Sequence, residues 1–294
     1  MIRYSINDLE KITGIKAHTI RIWEKRYNVV SPKRTPTNIR YYNDEDLLKL
    51  LNISTLNKHG FKISDIVSMP TEEICEKITD ISRSSTDFES QINSLTVAMI
   101  ELNEDAFEKV LSSTILKIGF EKTVTHVLYP LLEKIGVLWQ IGTINPAQEH
   151  FLTNLIRQKM IVAIDGQNNP LSPNAKTFLL YLPEMEFHEL GLLFYNFLIK
   201  KHGHKVIYLG QNVPFKDMVE VVKIRNADYV LTYFVAAIPP KELPDYINNL
   251  SEALKDKKIF TSGYQVRELE PKLPKNMISL KSAEEFKDYL KALT

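Results

Sequence analysis

The chain lacks three features that mark large classes of protein. Its 294 residues include a single cysteine, Cys75, so no internal disulfide can form, which fits a reducing cytosol. No apolar run approaches about 18 residues, the length that a membrane-spanning helix needs, and the first residues lack the pattern of a signal peptide. We therefore expect a cytoplasmic protein that does not enter a membrane.

Net charge is also small, but it is unevenly distributed. The whole chain carries +1, yet residues 1–64 contain 12 Lys/Arg against 6 Asp/Glu, and the remaining residues contain 25 against 30. A basic N-terminal segment on a neutral-to-acidic body favours a polyanion as its partner. The length suggests two or three domains.

The N-terminal residues predict two short helices joined by a tight turn. Ser5 suits the N-cap of the first helix and Gly14 its end, while residues 17–27 have the periodicity of a second helix. A helix-turn-helix with a basic outer face places its second helix in the major groove of DNA. Our candidate DNA contacts in this part are Lys16, His18, Thr19, Arg21, Lys25 and Arg26.

Residues 30–42 predict a hairpin, because two prolines and Asn38 suit a β-turn between short strands. A basic hairpin after a helix-turn-helix is a wing that contacts phosphates or the minor groove. Its candidate DNA contacts are Arg34, Arg40 and Tyr42. We expect Asp44 to cap a long helix over 45–58, followed by a short helix over 63–69.

These residues resemble the winged-helix domain of the mercury-resistance regulator (MerR) family, over residues 1–72. The matching positions are Tyr4-Ser5, Gly14, Thr19-Ile20-Arg21, Glu24-x-Arg26-Tyr27, Arg40-x-Tyr42 and Gly60-Phe61-x-Ile63. The resemblance implies a double-stranded DNA operator as partner, a homodimer or homotetramer as assembly, and RNA polymerase as a further partner. Asn38 stands where the family usually has glycine, and we expect it to adopt a positive φ.

The middle of the chain is helical in pattern. Residues 73–87 are polar and predict a linker, and residues 88–170 predict a four-helix bundle. The expected helices are 88–102, 104–118, 123–136 with a break near Pro130, and 146–165. The linker lacks the long heptad helix that dimerises simpler members of the family, so we expect the later domains to mediate self-association.

From residue 176, within a domain that we place at residues 171–294, the pattern alternates between strand and helix. The expected strands are 176–181, 205–210, 229–235, 258–261 and 277–280. This alternation predicts a doubly wound, Rossmann-like sheet of five parallel strands. No G-x-G-x-x-G follows the first strand, so the fingerprint of a dinucleotide-binding domain is absent. The predicted fold class is therefore multidomain: a winged helix, a four-helix bundle and an α/β domain.

A histidine lies where the first of these strands ends. Glu186-x-His188-x-x-Gly191 follows the carboxyl end of the strand, which is where open α/β sheets bind ligands. An imidazole with a carboxylate two residues earlier suits a metal ligand and its orienting partner. Alone this pattern is weak, since loop histidines more commonly face solvent or cap a helix.

Two other segments strengthen the metal interpretation. Trp139 is followed ten positions later by Glu149-His150, and this segment resembles the helical cap of cobalamin-binding modules, in the form found in the adenosylcobalamin-dependent CarH/LitR class. The loops of residues 171–294 resemble the cobalamin-binding α/β domain. Its matching positions are Glu186, His188, Gly191, Leu209, Gly210 and Gly263, whereas Thr232 and Ser262 depart from the family's residues.

The resemblance implies adenosylcobalamin, or another cobalamin with its cobalt, as the cofactor. His188 would be the lower axial ligand of cobalt and displace the cofactor's own benzimidazole, with Glu186 on its other ring nitrogen. Trp139, Glu149 and His150 would cover the upper face, and His150 would approach the cobalt after light removes the upper ligand.

The same resemblance assigns Thr232, Ser262 and Gly263 to the slot for the cofactor's nucleotide tail. The family has serine and glycine at the first two positions, so threonine keeps the hydroxyl while Ser262 adds a small side chain.

We interpret the chain as a DNA-binding transcriptional regulator, not an enzyme, in which ligand or light state changes oligomerisation and operator binding. Two alternatives stay open. Thr232 and Ser262 leave room for a regulator whose sensor domain has lost cobalamin or binds another ligand. A corrinoid-dependent methyl carrier or isomerase is the other, although the sequence predicts no large catalytic barrel.

Overall fold

A computed structural model describes residues 3–84, 88–140 and 144–293, without the side chains of residues 79, 82–84, 137, 139 and 140. These residues form two compact units, Met1–Leu155 and Ile156–Thr294. Within the described ranges, no helix combines the length and apolarity needed to cross a membrane.

The N-terminal unit begins with the predicted winged helix. Its first elements are α1 (Ile6–Thr13), α2 (Ala17–Tyr27), β1 (Lys33–Arg34), β2 (Arg40–Tyr41), α3 (Asp44–Lys58) and α4 (Ile63–Ser68). Ser5 caps α1 through a capping box with Asp8, and Gly14 ends it in the left-handed conformation, as predicted. The antiparallel hairpin is confirmed, and Asn38 adopts a φ of 65° at its turn.

The start of α3 corrects one prediction. Asn43, and not Asp44, is the N-cap, because its side chain accepts a hydrogen bond from Asp46 N at 2.9 Å. Asp46 Oδ2 in turn accepts from Asn43 N at 3.1 Å, so a reciprocal capping box sets the helix start one residue earlier.

The rest of this unit is helical, as predicted for residues 88–165, whereas the predicted linker over 73–87 is helical as far as Ser84. The elements are α5 (Thr71–Ser84), α6 (Phe88–Ile100), α7 (Glu104–Ile118), α8 (Phe120–Thr123), a π-helical turn (Val124–Leu128), α9 (Tyr129–Gln140) and the first half of α10 (Pro146–Asp165). The predicted break near Pro130 is wrong. The π-turn carries the chain into α9, where Pro130 is near the helix start, a place that tolerates the missing N–H.

The C-terminal unit is the predicted α/β domain. Its strands are β3 (Thr177–Pro183), β4 (Lys205–Val213), β5 (Tyr229–Tyr233), β6 (Lys258–Ser262) and β7 (Met277–Ser279). Its helices, after the end of α10, are α11 (Leu190–Lys201), α12 (Phe215–Arg225), α13 (Leu243–Ala253), α14 (Tyr264–Leu269) and α15 (Ala283–Lys291). Within residues 144–293 the five strands pair in parallel in the order β4-β3-β5-β6-β7.

Apolar layers cover both faces of this sheet. Leu179 and Tyr181 pack with Met218 of α12 and Ile247 of α13 on one face. On the other face, the ring of Phe286 from α15 makes edge contacts with strand and helix aromatics. Strand order reverses between β3 and β5, since β4 lies on one side of β3 and the later strands on the other. Open α/β sheets bind ligands outside the carboxyl ends at such a switch point.

Candidate functional site

A buried carboxylate joins the two loops at this switch point. Glu186, after β3, is only 1% exposed. Its Oε2 accepts hydrogen bonds from the backbone N–H groups of Val235, Ala236 and Ala237, just after β5, at 3.0, 2.9 and 3.1 Å. Its Oε1 accepts from the backbone N–H of residues 187 and 188 at 3.1 and 3.2 Å. Five backbone donors therefore hold this side chain in one position.

The same carboxylate orients His188. Its Oε1 lies 2.5 Å from His188 Nδ1. Burial raises the pKa of Glu186, but the hydrogen bonds from His188 and from the backbone of residues 235–237 outweigh burial and lower that pKa from 4.5 to about 2. The ionised carboxylate accepts the Nδ1 proton, so a metal would bind His188 at Nε2.

The surroundings of His188 are open and apolar. Its side chain is 60% exposed, while Met185 and Phe187 are 68% and 53% exposed. The end of β4 fixes this loop, because Asn212 Oδ1 accepts from Met185 N at 2.9 Å and Gln211 Nε2 donates to Phe187 O at 2.8 Å. The arrangement presents an oriented imidazole between two exposed apolar side chains.

A second buried carboxylate supports the start of α11. Glu189 is 6% exposed and accepts hydrogen bonds from Arg157 Nε at 2.7 Å and from the Tyr208 hydroxyl at 2.9 Å. Burial, followed by the charge of Glu189, raises the pKa of Tyr208, so the hydroxyl stays protonated. Gly210 lies beside this group, since a Cβ there would be 3.6 Å from Glu189 Oε1.

Aromatic side chains fill the space behind the loop, between α11 and the sheet. A Cβ on Gly191 would lie 2.6 Å from Cζ of Tyr233, so the tyrosine ring is in contact with the helix backbone. The ring of Tyr195, on the next turn of α11, lies 6.3 Å from that of Tyr233. Its hydroxyl donates to Ser262 Oγ at 3.1 Å, and Ser262 donates to Leu280 O at 3.0 Å.

Gly191 and Ser262 both border this face, next to Tyr233 and Tyr195 respectively, but Thr232 does not. Because strand side chains alternate, Thr232 points to the opposite face, beside Tyr181. Leu209 packs against the apolar core of that opposite face. Gly263 follows β6 with a φ of 112°, and a Cβ there would lie 2.1 Å from Phe234 O, so only glycine fits.

The candidate upper-face residues belong to the N-terminal unit. Glu149 Oε2 lies 3.0 Å from Nδ1 of His150 in the first turn of α10, and the two side chains are 33% and 73% exposed. This pair repeats the carboxylate–imidazole pairing of the other unit, without its backbone support. Trp139 lies in α9, but its side chain is outside the part of the chain that the structure describes. The roles of all three stay predictions.

The helix-turn-helix presents most of the predicted DNA contacts to solvent. Exposed side chains on or next to α2 and in the wing are Lys16, His18, Arg21, Lys25, Arg26 and Arg34, with Thr19 half-buried. Lys16 pairs with Glu10 at 3.1 Å, and Arg34 donates to Asn38 Oδ1 at 2.6 Å. A basic surface of this kind suits phosphate contact.

Tyr42 corrects the predicted DNA surface. It is 1% exposed, and its hydroxyl donates to Glu24 Oε2 at 3.3 Å, so it belongs to the core and cannot reach DNA. Arg40 is half-buried and donates to Glu24 Oε1 at 3.2 Å. Glu24 therefore ties the wing to α2, a packing role that the basic pattern of the sequence did not distinguish from DNA contact.

Comparison with known proteins decides the family. Residues 4–70 match the MerR HTH family of regulatory proteins, and residues 91–163 match the B12 binding domain. The HTH-type transcriptional repressor CarH of Myxococcus xanthus is 30% identical over 85% of this chain and 85% of its own length. The chain belongs to the CarH family of MerR-type cobalamin-binding regulators.

One further relative and one solved structure are also similar to this chain. The repressor CarA of Myxococcus xanthus is 26% identical over 90% of this chain and 87% of its own length. The monomethylamine corrinoid protein of Methanosarcina barkeri matches with a TM-score of 0.53 at 15% identity, over 74% of this chain and 99% of that one, which shows the fold alone.

A corrinoid of the kind this family binds fits one part of the site and not another. The oriented His188, with apolar Met185 and Phe187 beside it, suits a cobalt ligand under a flat macrocycle. The space next to Gly191, however, contains the rings of Tyr233 and Tyr195.

Sequence reasoning missed the residues that decide this fit. The donors at 235–237 are backbone N–H groups, which no side-chain pattern in the sequence reveals. Tyr195 lies among the apolar residues of a helix, so the sequence did not single it out. Tyr233 had a readable signal, because a bulky aromatic lies directly beside the Thr232 position that we assigned to the tail slot.

Proposed function

We propose that this protein is a DNA-binding regulator that binds a corrinoid through His188 and couples the state of that ligand to DNA affinity. The observation that carries the proposal is the Glu186–His188 pair at the switch point of the sheet. Glu186 fixes the imidazole tautomer, and Met185 and Phe187 cover apolar parts of the macrocycle. The basic surface around α2 contacts the operator.

The finer proposal concerns the upper ligand. We infer that the ligand is the adenosyl form and that light is the signal; bound adenosylcobalamin supplies a cobalt–carbon bond that light breaks. The ligand can change assembly and DNA binding only if it binds the two assemblies with different affinity. His150, oriented by Glu149, is the residue that we expect to respond in the N-terminal unit.

The ligand arm of the test uses visible absorption. Full-length protein is mixed with adenosylcobalamin in the dark, desalted, and measured before and after green light, with oligomer size determined in both states. Retained corrin bands that change on illumination, together with a change in oligomer size, support the proposal. Loss of all corrin bands on desalting contradicts corrinoid binding, and unchanged assembly contradicts the light switch.

The residue arm compares two histidine variants. His188→Ala should alter the absorption of the bound corrinoid and weaken its binding by about 100-fold, since an axial ligand is lost. His202→Ala is the matched control, because His202 lies at the other end of α11, where its Nδ1 contacts Leu198 O. Equal spectra for both variants would remove His188 from the role.

The DNA arm measures operator affinity against salt concentration. Arg21→Ala should weaken binding and reduce the slope of log affinity against log salt by about one unit, as for a lost phosphate contact. Lys255→Ala, an exposed lysine in the C-terminal unit, is the control. An unchanged slope for Arg21→Ala would contradict the assigned DNA surface.

One observation favours a second candidate, a DNA-binding regulator that no longer holds a corrinoid. The rings of Tyr233 and Tyr195 fill the space behind the histidine loop. The desalting experiment distinguishes the two candidates, since a regulator of this second kind retains no corrin bands in either light condition.

A further inference from the structure

We propose that Tyr233 and Tyr195 close the space for a nucleotide base, so that this chain recognises the corrin ring and its cobalt without holding the nucleotide tail. The proposal rests on the proposed corrinoid binding at His188. It concerns which corrinoids the protein accepts: those with a nucleotide tail and those without one should bind nearly alike.

The place that a displaced base needs follows from the axial ligand. When His188 occupies the lower position of cobalt, the cofactor's own base leaves the metal but remains linked to the lower side of the ring. It then either enters the protein beneath the macrocycle, between α11 and the sheet, or extends into solvent. On the protein side, Gly191 of α11 has no side chain, so the helix backbone permits close approach there.

Side chains of this protein already occupy that place. The Tyr233 ring atoms lie 2.6 to 2.9 Å from the place that a Cβ on Gly191 would take, so the ring already occupies the space beside this glycine. A benzimidazole is a flat bicycle wider than a phenol ring, so it cannot share this contact with Tyr233. A base could enter only if the tyrosine left the helix surface.

Tyr195 fixes the deeper end of the same space. It is 5% exposed, its ring meets the edge of Phe286 at 5.2 Å, and its hydroxyl donates to Ser262. Ser262 Oγ in turn donates to Leu280 O, so the hydroxyl groups of Tyr195 and Ser262 both have hydrogen-bond partners inside the protein. The serine that departs from the family's glycine is therefore a hydrogen-bonding partner that holds Tyr195 in the closed position.

The test compares two corrinoids that differ only in the tail. Adenosylcobalamin and adenosylcobinamide are titrated in the dark against full-length protein, and dissociation constants are obtained from visible absorption and equilibrium dialysis. We expect the two constants to agree within about threefold for the wild type. Binding of adenosylcobalamin about 100-fold or more tightly than adenosylcobinamide would overturn the proposal, because a tail held by the protein contributes affinity.

A variant that opens the space supplies the second comparison. Tyr233→Ala should tighten adenosylcobalamin binding by about tenfold while leaving adenosylcobinamide within about threefold of the wild type. Tyr246→Ala removes a ring from the opposite face of the sheet, where it contacts Tyr181, and should leave the ratio of the two constants unchanged. A Tyr233→Ala ratio equal to that of the wild type would contradict the assigned closure.

Failure of the inference and failure of the proposed function give different results. If neither corrinoid is retained, corrinoid binding itself is wrong. If adenosylcobalamin alone is retained, corrinoid binding stands and the closed space is wrong. The wild-type ratio needs no substitution, so the test holds even if Tyr233→Ala fails to fold.

Discussion

The two ends of the Glu186-x-His188-x-x-Gly191 motif differ in whether their surroundings leave room for a ligand. At one end, Glu186 and His188 form an oriented carboxylate–imidazole pair, supported by backbone donors from the loop after β5. At the other end, Gly191 keeps the small residue that permits close approach, yet Tyr233 occupies the space that it opens. The comparison teaches that a motif sets local geometry, whereas residues elsewhere decide whether a ligand can use it.

The largest effect is expected from disrupting the Glu186–His188 pair at the other end of the motif. Glu186→Ala removes the acceptor for three N–H groups after β5 and for the His188 ring, so it should lower the free energy of unfolding of the C-terminal unit by about 3 kcal/mol. It should also weaken corrinoid binding by about 10- to 100-fold, since the imidazole loses its orienting partner. Urea unfolding followed by circular dichroism measures the first effect and visible absorption the second.

The control for this variant lies in the same loop. Glu184 is exposed, and Glu184→Ala should change neither stability nor affinity. If Glu186→Ala unfolded at the same urea concentration as the control, the carboxylate would not join the two loops as described.

The next largest effect is expected at Gly191, the end of the motif where Tyr233 occupies the space. Gly191→Ala should lower stability by about 1–2 kcal/mol, because the clash with Tyr233 exceeds the gain of about 1 kcal/mol that alanine brings to a helix. In a Tyr233→Ala background the same change should become neutral or stabilising. A double-mutant cycle in urea measures this coupling, and strictly additive effects would mean that the ring does not press on the helix.

The smallest effect tests the hydroxyl of Tyr195. Tyr195→Phe keeps the ring but removes the donor to Ser262, so it should cost about 1 kcal/mol of stability. Tyr264→Phe, on an exposed ring of α14, is the matched control and should cost nothing measurable. Equal unfolding midpoints for the two variants would show that the Tyr195–Ser262 hydrogen bond contributes nothing to the closed space.

Local signals predicted much of the fold. The capping box joins Ser5 and Asp8, three residues apart, Gly14 directly follows the end of α1, and the strand pattern from residue 176 depends on short apolar runs. The errors were also local: Asn43 competes with Asp44 for one cap, and a π-turn makes Pro130 tolerable inside a continuous helical segment.

Long-range contacts limited the prediction of the site. The sequence indicated that Glu186 would face His188, two residues away, but its bonds to residues 235–237 depend on strand order. The orientation of Thr232 and Tyr233 depends on which face α11 covers, and alternation along a strand cannot decide that alone. Tyr42 likewise appeared to be a DNA contact until its burial against Glu24 was known.

The most direct test of the central claim is electron paramagnetic resonance of full-length protein loaded with cob(II)inamide. This corrinoid has no base of its own, so any splitting by an axial nitrogen must come from the protein. We predict splitting by one nitrogen in the wild type, lost in His188→Ala and retained in His202→Ala. A bound cob(II)inamide whose spectrum shows no nitrogen splitting in the wild type would contradict His188 as the cobalt ligand.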